Sequence, residues 1–259
     1  DLHRLIRRQR QMCIRDRSEP LHRKLFGTDG VRWIANQTYD PTFAMKLAMA
    51  IATYFPPGAR ALVGCDARIA NPSIYNAVLS ALAASGSKVY DAGLVPTPAL
   101  QLAVRDFGFD YGVIVTASHN PPEWVGIKVV LSDGTEAPPN VDAEIERIYF
   151  ENRQRLVSWS EIRPIVRFPI VNEHYVQSVK KHVDAEVIRK RGLRAVVDCA
   201  NSVPALTTPR ILKELGVKVL TINGDIGIPY RRYEPTPETL EDLIKIVTVS
   251  YTHLTLPTN

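Results

Sequence analysis

The sequence predicts an α/β fold with a mixed sheet, followed by the start of a second, similar α/β unit. Two observations predict it. Short apolar runs typical of strands alternate with segments that carry apolar residues at helical spacing. The same alternation resumes after residues 157–171, which contain two prolines and have no regular period. We therefore interpret residues 157–171 as a connector.

The first unit has clear signals for where its elements begin and end. Asp40 is expected to cap a helix that has Pro41 at its first position, and Pro56 ends that helix. The run at 111–117 is uniformly apolar, which is typical of a central strand covered on both faces. The other predicted elements are strands at 61–66, 88–93 and 126–134, and helices at about 72–85, from Thr97, and at about 141–155.

The second unit is predicted to begin at Asn172, which is expected to cap a helix that runs to His182. The next predicted elements are a buried strand at 194–200, a helix at 209–215, a strand at 218–224 and a helix at about 237–247. This pattern holds only the beginning of a βαβ arrangement, so residues 172–248 are expected to form a partial domain.

The two ends of the chain share an unusual relation. Residues 6–16 and 249–259 can be encoded by one DNA segment read from opposite strands. Selection on a fold does not produce such a relation, so we interpret residues 1–17 and 249–259 as adapter-derived scars. The first domain is then expected to span residues 18–156, and the natural chain to be truncated at its C-terminus.

The formal net charge of +5 comes mainly from the N-terminal end. Residues 1–17 hold six Arg and two Asp, and the remainder is close to neutral, which argues against nucleic acid or an anionic membrane surface as a partner. Cys65 and Cys199 are isolated and predict neither a disulfide framework nor a zinc site. No apolar stretch approaches the roughly 20 residues of a membrane span. We expect a cytoplasmic protein, and the sequence indicates no particular oligomeric state.

A polar cluster of Ser118, His119 and Asn120 follows the predicted central strand. Open α/β sheets bind ligands at the carboxyl ends of their strands, so this position favours a functional site. Ser118 is the candidate nucleophile, but no G-x-S-x-G motif surrounds it. His119 is a poor candidate for its base, because neighbours in an extended chain point to opposite sides, unless a turn at Asn120-Pro121 brings the two side chains closer. Lys128, in the adjoining strand, is the better candidate for moving protons.

Two further loops place cations at strand ends, FGTDGVR at 26–32 and GCDAR at 64–68. The glycines of the first loop let backbone amides approach an anion, and Arg32 can bind phosphate oxygens with two N–H groups. Together with Arg68 these features indicate a phosphate site. Each also has a purely structural interpretation, as a polar turn, a surface ion pair or a solvated strand residue.

The order of four motifs, KLFGTDGVR, TASHNP, GIKVV and EPTPETL, resembles the α-D-phosphohexomutases, the superfamily of phosphoglucomutase, phosphomannomutase and phosphoglucosamine mutase. The resemblance runs from about Lys24 to Val247 and implies domain 1 of that family and part of domain 2. FGTDGVR is most similar to the phosphoglucosamine branch. The sequence as a whole is similar to those of archaeal enzymes of broad sugar specificity.

The resemblance implies a phosphoryl shuttle. Phosphorylated Ser118 donates its phosphate to a hexose phosphate, and the bound hexose 1,6-bisphosphate then turns and returns its other phosphate to the same serine. The implied catalytic residues are Ser118, His119, Lys128 and Arg32, of which Lys128 carries the proton. The implied substrate- or phosphate-binding residues are Thr28, Arg68 and Asn120. The implied cofactor is Mg²⁺, held through the phosphate on Ser118.

This sequence departs from the family pattern at several positions. Trp33 stands where the family usually has Gly, Cys65 replaces a commoner Arg, and Val125 replaces the Asn before Gly126. We expect Val125 to alter the turn that aims Lys128. The family's Asp-x-Asp-x-Asp-Arg metal loop is expected just after residue 247, where the sequence becomes VSYTHL. The 259-residue chain by itself is therefore expected to have no mutase activity.

Two other classes of function stay open from the sequence. One is a phosphatase or other hydrolase that uses Ser118, and the other is a non-catalytic module that binds sugar phosphates. The sequence does not determine whether the sugar is glucosamine, glucose or mannose.

Overall fold

The structure, a computed structural model, describes residues 25–27, 30–227 and 232–250. Within these ranges six strands form one mixed sheet in the order β1-β5-β4-β2-β3-β6. Strands β2, β3, β4 and β6 run parallel, whereas β5 is antiparallel to both β4 and β1. The strands are β1 (Val31–Ile34), β2 (Arg60–Cys65), β3 (Lys88–Leu94), β4 (Tyr111–Val115), β5 (Trp124–Leu131) and β6 (Val166–Arg167). The predicted α/β fold with a mixed sheet is confirmed.

Helices cover both faces of this sheet. They are α1 (Pro41–Tyr54), α2 (Asn71–Ala84), α3 (Thr97–Asp106), α4 (Pro139–Phe150) and α5 (Val171–Lys181). The first core cluster joins α1, α2 and α4 to one face, and the second joins α3 and the start of α5 to the other. Every residue of β4 is buried, so the prediction of a central strand is confirmed.

Local chemistry sets the ends of α1 as the sequence predicts. The Oδ1 atom of Asp40 accepts a hydrogen bond of 3.0 Å from the backbone N–H of Phe43, which satisfies one of the donors exposed at a helix start. Pro41 occupies the first turn, where a missing N–H costs nothing. The helix buries a stripe that includes Leu47 and Ile51 against the sheet and α2.

A second, smaller α/β unit follows. Its strands β7 (Arg194–Asp198) and β8 (Lys218–Ile222) pair in parallel. Its helices are α6 (Ala185–Lys190), α7 (Thr208–Glu214) and α8 (Glu241–Ser250). Val176 of α5 packs with Ile211 and Leu215 of the second unit. Strand β7, helix α7 and strand β8 form the beginning of a βαβ arrangement, as the sequence predicts.

Several local predictions were wrong. The connector contributes β6, which lies at the sheet edge with Val166 opposite Tyr90 of β3, and two residues are too few for a strand period to be visible. Asn172 is not a cap, because α5 begins at Val171 and the Asn172 amide donates to the carbonyl oxygen of Leu94 at 2.9 Å. Helix α4 ends at Phe150 instead of near 155, and α6 was not predicted.

None of the helices in the described part of the chain has the length and hydropathy needed to cross a lipid bilayer.

Candidate active site

Residues 116–123, here called the serine loop, join the central strand β4 to β5. Ser118 is exposed and has a φ of 55°, in the left-handed region that residues other than glycine rarely adopt. Its Oγ lies 3.4 Å from Nδ1 of His119. The side chains of Ser118 and His119 were expected to point apart in an extended chain. The backbone at Ser118 is left-handed and not extended, so the two side chains lie close together. A backbone of this kind persists only when its surroundings hold it.

Arg68 provides that support. It is 2 % exposed, and its Nη1 and Nη2 atoms donate to four backbone carbonyl oxygens at 2.6 to 3.1 Å. The carbonyls are those of Ser118, Asn120, Pro121 and Trp124. With its Nε donating to a carboxylate, all five N–H groups of the guanidinium are directed at protein acceptors. These contacts are those of a residue that holds the serine loop; the phosphate-binding role of Arg68 stays a prediction.

The carboxylate that Arg68 contacts is Asp66, at the end of β2. Its Oδ2 accepts from Thr116 Oγ1 at 2.6 Å, and Thr116 Oγ1 in turn accepts from the backbone N–H of Ser118 at 3.0 Å. The Oδ1 atom of Asp66 accepts a hydrogen bond from the Asn71 amide at 2.5 Å. Burial raises the pKa of Asp66, while the hydrogen bonds from Thr116 and Arg68 act in the opposite direction. Asp66 is thus linked to the backbone of Ser118 through one hydroxyl.

Neither Asp66 nor Thr116 was among the predicted site residues. The sequence held a signal for both, since each is a polar residue at or next to the end of a predicted apolar strand. The two strands, β2 and β4, are parallel neighbours in the sheet. Carboxyl ends of parallel strands meet at one edge, so polar residues there come together. The order of the strands, which the sequence did not reveal, was needed to join these two.

Arg32 and Asn120 are brought together as a pair. The Nη1 atom of Arg32, on β1, donates to Asn120 Oδ1 at 2.8 Å. The Cα partner of Arg32 on β5 is Gly126. A Cβ atom at Gly126 would lie 2.6 Å from the carbonyl oxygen of Thr116 and 2.8 Å from that of Val31. Glycine at this position therefore allows β1 and the serine loop to approach each other closely.

Lys128 lies on β5 opposite Ile114 and is 7 % exposed. Its Nζ lies 3.4 Å from Oε1 of Glu136. The loop before β1 packs on this lysine, because Gly30 has a φ of 78° and a Cβ added there would lie 2.8 Å from Lys128 Cγ. The predicted contact of that loop with an anion involves Thr28, which lies outside the described residues.

Two of the departures from the family pattern are partners. Trp33 on β1 is paired with Val125 on β5, and both are buried in the first core cluster, which lies on the sheet face away from Arg32. Trp33 packs edge-on to Phe43 with ring centroids 5.1 Å apart. The expectation that Val125 alters a turn was wrong, since it lies within a strand. Cys65 is also buried, and burial raises the pKa of its thiol to about 12.

A cleft of about 900 Å³ separates the serine loop from the second unit. His119 and Pro121 line it on one side, and Arg232 lies on the other. The carboxylates on its lining are Asp198, Glu234, Glu238, Glu241 and Asp242. The wall that faces His119 is therefore mainly acidic.

Carboxylates in one wall do not amount to a metal site. The described residues contain no group of three or more His, Cys, Asp or Glu side chains that could hold a metal ion. Mg²⁺ bound through the phosphate of Ser118 stays a prediction.

Comparison with known proteins decides the family. The model of the phosphoglucomutase/phosphomannomutase alpha/beta/alpha domain I matches residues 23–156, which is more than half of the chain. The chain belongs to the phosphoglucomutase/phosphomannomutase family. The model of domain II of this family matches residues 173–256, which extends into the segment 249–259 that we interpret as adapter-derived.

Relatives in the family differ in the sugars for which they are named. A phosphoglucosamine/phosphogalactosamine mutase of Sulfurisphaera tokodaii is 42 % identical over 227 residues, which is 86 % of this chain and 50 % of the relative. A phosphoglucomutase/phosphomannomutase of Thermococcus kodakarensis is 39 % identical over 230 residues, again 86 % of this chain and 50 % of the relative. The chain spans about half the length of these relatives.

A solved structure shows the same fold. A phosphoglucomutase/phosphomannomutase family protein from Burkholderia thailandensis matches with a TM-score of 0.72 and 23 % sequence identity. The match covers 88 % of this chain and 50 % of that one. At this identity the likeness supports the fold and nothing finer.

Proposed function

We propose that the protein takes part in the interconversion of hexose or hexosamine 1-phosphate and 6-phosphate, with Ser118 as the carrier of the phosphate. The observation that carries the proposal is the position of Ser118. Its hydroxyl is exposed beside a large cleft, on a loop whose backbone is held at three carbonyls by one buried arginine, which also binds the first carbonyl of β5. Phosphoryl transfer depends mainly on positioning and charge stabilisation, and a rigid carrier next to a cleft supplies the positioning.

In the first transfer the bond from Ser118 Oγ to phosphorus breaks as a bond from a sugar hydroxyl oxygen to phosphorus forms. The sugar hydroxyl loses its proton and the departing Ser118 Oγ takes one up, and Lys128 is our candidate for passing the proton between them. The product is a hexose 1,6-bisphosphate. In the second transfer the bisphosphate is bound the other way round and its other phosphate moves to Ser118 Oγ. The Ser118 hydroxyl gives its proton, through Lys128, to the sugar oxygen that this phosphate leaves. Ser118 ends phosphorylated, as it began.

A phosphoserine carries nearly two negative charges, which the site must balance. Arg32 is the candidate for that task, because its Nη1 is already oriented by the side chain of Asn120 within the same loop as Ser118. A guanidinium fixed in this way needs little reorganisation when charge develops on the transferring group. His119, whose Nδ1 lies 3.4 Å from Ser118 Oγ, is a candidate for a further hydrogen bond to the phosphate.

A hydrolase that uses Ser118 is the second candidate, favoured by the same approach of His119 to Ser118. Two observations weigh against it. The contact is long and both residues are exposed, and the serine leads into a strand instead of the helix that follows a nucleophile elbow.

The experiment is intact-mass measurement of the 259-residue chain after incubation with glucose 1,6-bisphosphate or glucosamine 1,6-bisphosphate, with and without Mg²⁺. We expect a mass increase of one phosphate, lost in Ser118→Ala and kept in the matched control Ser160→Ala, an exposed serine in the connector. Uptake of phosphate by Ser118→Ala would contradict the proposal. Release of inorganic phosphate without a labelled serine would favour the hydrolase, and ligand stabilisation without labelling would favour a binding module.

Three finer points belong to the same proposal. The amino sugar is the first substrate to test, because a relative at 42 % identity is named for it. Mg²⁺ is the expected cofactor and the cytoplasm the expected location. Turnover of hexose phosphate by the 259-residue chain alone is expected to be absent, which a coupled assay checks.

A further inference from the structure

Arg68 contacts the second unit as well as the serine loop. While the edge of its guanidinium is used by hydrogen bonds, the ring of Tyr233 lies over its face, with the Arg68 Cζ atom 4.6 Å from the ring centroid. An arginine over the face of an aromatic ring within about 6 Å is attracted to it by a cation–π interaction. This contact joins residues 165 positions apart in the chain through one buried cation.

The ring, and not the hydroxyl, makes this contact. The Tyr233 hydroxyl is buried and has no hydrogen-bond partner within the described ranges. Replacing tyrosine by phenylalanine therefore keeps the contact and removes a polar group that is buried at a cost. The Tyr233→Phe and Tyr233→Ala variants consequently separate the ring from the hydroxyl.

The neighbours of Tyr233 face the other way. Arg232 and Glu234 line the cleft, whereas Tyr233 between them packs on Arg68. A ligand that moves or orders residues 232–234 thus acts on the residue that holds the serine loop. The segment connects the cleft wall of the second unit to the backbone of Ser118 by two successive contacts.

We propose that Tyr233 is a positioning residue for the serine loop, acting through Arg68. Its ring covers the open face of the guanidinium and excludes water, which strengthens the bonds from Arg68 to the loop carbonyls. The order of the loop then depends on whether the second unit is docked against the first. Only the catalytic consequence, efficient transfer to and from Ser118, rests on the proposed function.

The test is hydrogen–deuterium exchange of peptides that cover residues 116–124, measured on the full chain. We expect exchange in Tyr233→Ala to rise about fivefold, the change that a partly desolvated cation–π contact corresponds to, and Tyr233→Phe to match the wild type. The matched control is Leu220→Ala, which removes a half-exposed side chain from β8 of the same unit. Its serine loop should exchange as in the wild type.

The effect must also require the planar guanidinium of Arg68. In an Arg68→Lys background, where the planar guanidinium is absent, Tyr233→Ala should add much less to the exchange rate than it does in the wild type. Equal exchange in wild type and Tyr233→Ala would overturn the proposal. So would a Tyr233→Phe variant that behaves like Tyr233→Ala, because the hydroxyl would then carry the effect.

A second readout concerns the chemistry. The initial rate of Ser118 labelling by glucose 1,6-bisphosphate should fall in Tyr233→Ala with an unchanged half-saturating concentration, because Tyr233 does not line the cleft, and Tyr233→Phe should restore it. A changed half-saturating concentration alone would contradict the positioning role. If the wild type takes up no phosphate, the proposed function fails, while the exchange measurements still decide whether Tyr233 holds the loop.

Discussion

The Arg68→Lys substitution tests the central feature of the site, a loop held by one guanidinium. It keeps the positive charge next to Asp66 and the aliphatic part of the side chain. It replaces a planar group with five N–H donors by an ammonium with three. Since all five donors are used in the structure, at least two acceptors lose their partner.

The size of the effect follows from those acceptors. Leaving a buried donor or acceptor unsatisfied costs about 1 to 3 kcal/mol. The loop carbonyls are only partly buried, so water can reach some of them and the lower half of that range applies. Two lost bonds then correspond to about 3 kcal/mol. For a chain of this size we expect the melting temperature to fall by about 6 to 12 °C.

The assay is thermal unfolding followed by circular dichroism, combined with hydrogen exchange of the serine loop. The matched control is Arg147→Lys on α4, where the arginine is exposed and pairs with Glu144 at 2.6 Å, and its melting temperature should not change. A fall of less than about 2 °C in Arg68→Lys, below the shift expected for 1 kcal/mol, together with unchanged loop exchange, would refute the reasoning.

Three further variants test other parts of the structure. Gly126→Ala places a methyl group 2.6 and 2.8 Å from two backbone oxygens, so we expect lower stability in urea unfolding and slower labelling of Ser118. Wild-type values for both would contradict this expectation. Trp33→Ala should cost about 3 to 5 kcal/mol in the same unfolding experiment, since the side chain is 1 % exposed, whereas Trp159→Ala, at 86 % exposed, should cost nothing measurable. The Arg105 guanidinium holds the pKa of Asp106 below its usual value of 3.8, so the stability from this carboxylate is present above that pH and lost on acidification. The melting temperature of Asp106→Asn should therefore fall less than that of the wild type between pH 5 and pH 2. Parallel curves of melting temperature against pH would show that the Asp106–Arg105 pair contributes nothing to stability.

The sequence was sufficient to predict most of the regular elements, but not β1, β6 or α6. Asp40, Pro41 and Pro56 act on their immediate neighbours, so the helix between them could be read directly. The central strand was recognisable because a segment covered on both faces has no polar side to alternate. The connector strand β6 was not recognisable, since a two-residue edge strand owes its existence to its partner β3 and not to its own residue types.

The candidate site divides in the same way. Ser118, His119 and Asn120 could be named because they follow the central strand in the chain. Lys128 and Arg32 could be named because they lie in the adjoining strand and in a glycine-containing loop, and the family resemblance implied both. The roles of Asp66, Thr116 and Tyr233 could not be predicted, because each acts on a residue 50 or more positions away or through such a residue. Hydrogen-bond partners at that separation depend on strand order and on the docking of the two units.

The sequence by itself thus determined the α/β fold class, the family resemblance and the candidate site residues around Ser118, because these depend on local patterns and motifs. Only the tertiary structure decided what Arg68 does. A cation at a strand end has the same local signal whether it binds phosphate or backbone. The fold places four carbonyl oxygens, a carboxylate and an aromatic ring around this guanidinium, and those contacts use every donor it has. Its neighbours in space, and not in sequence, make it the support of the serine loop.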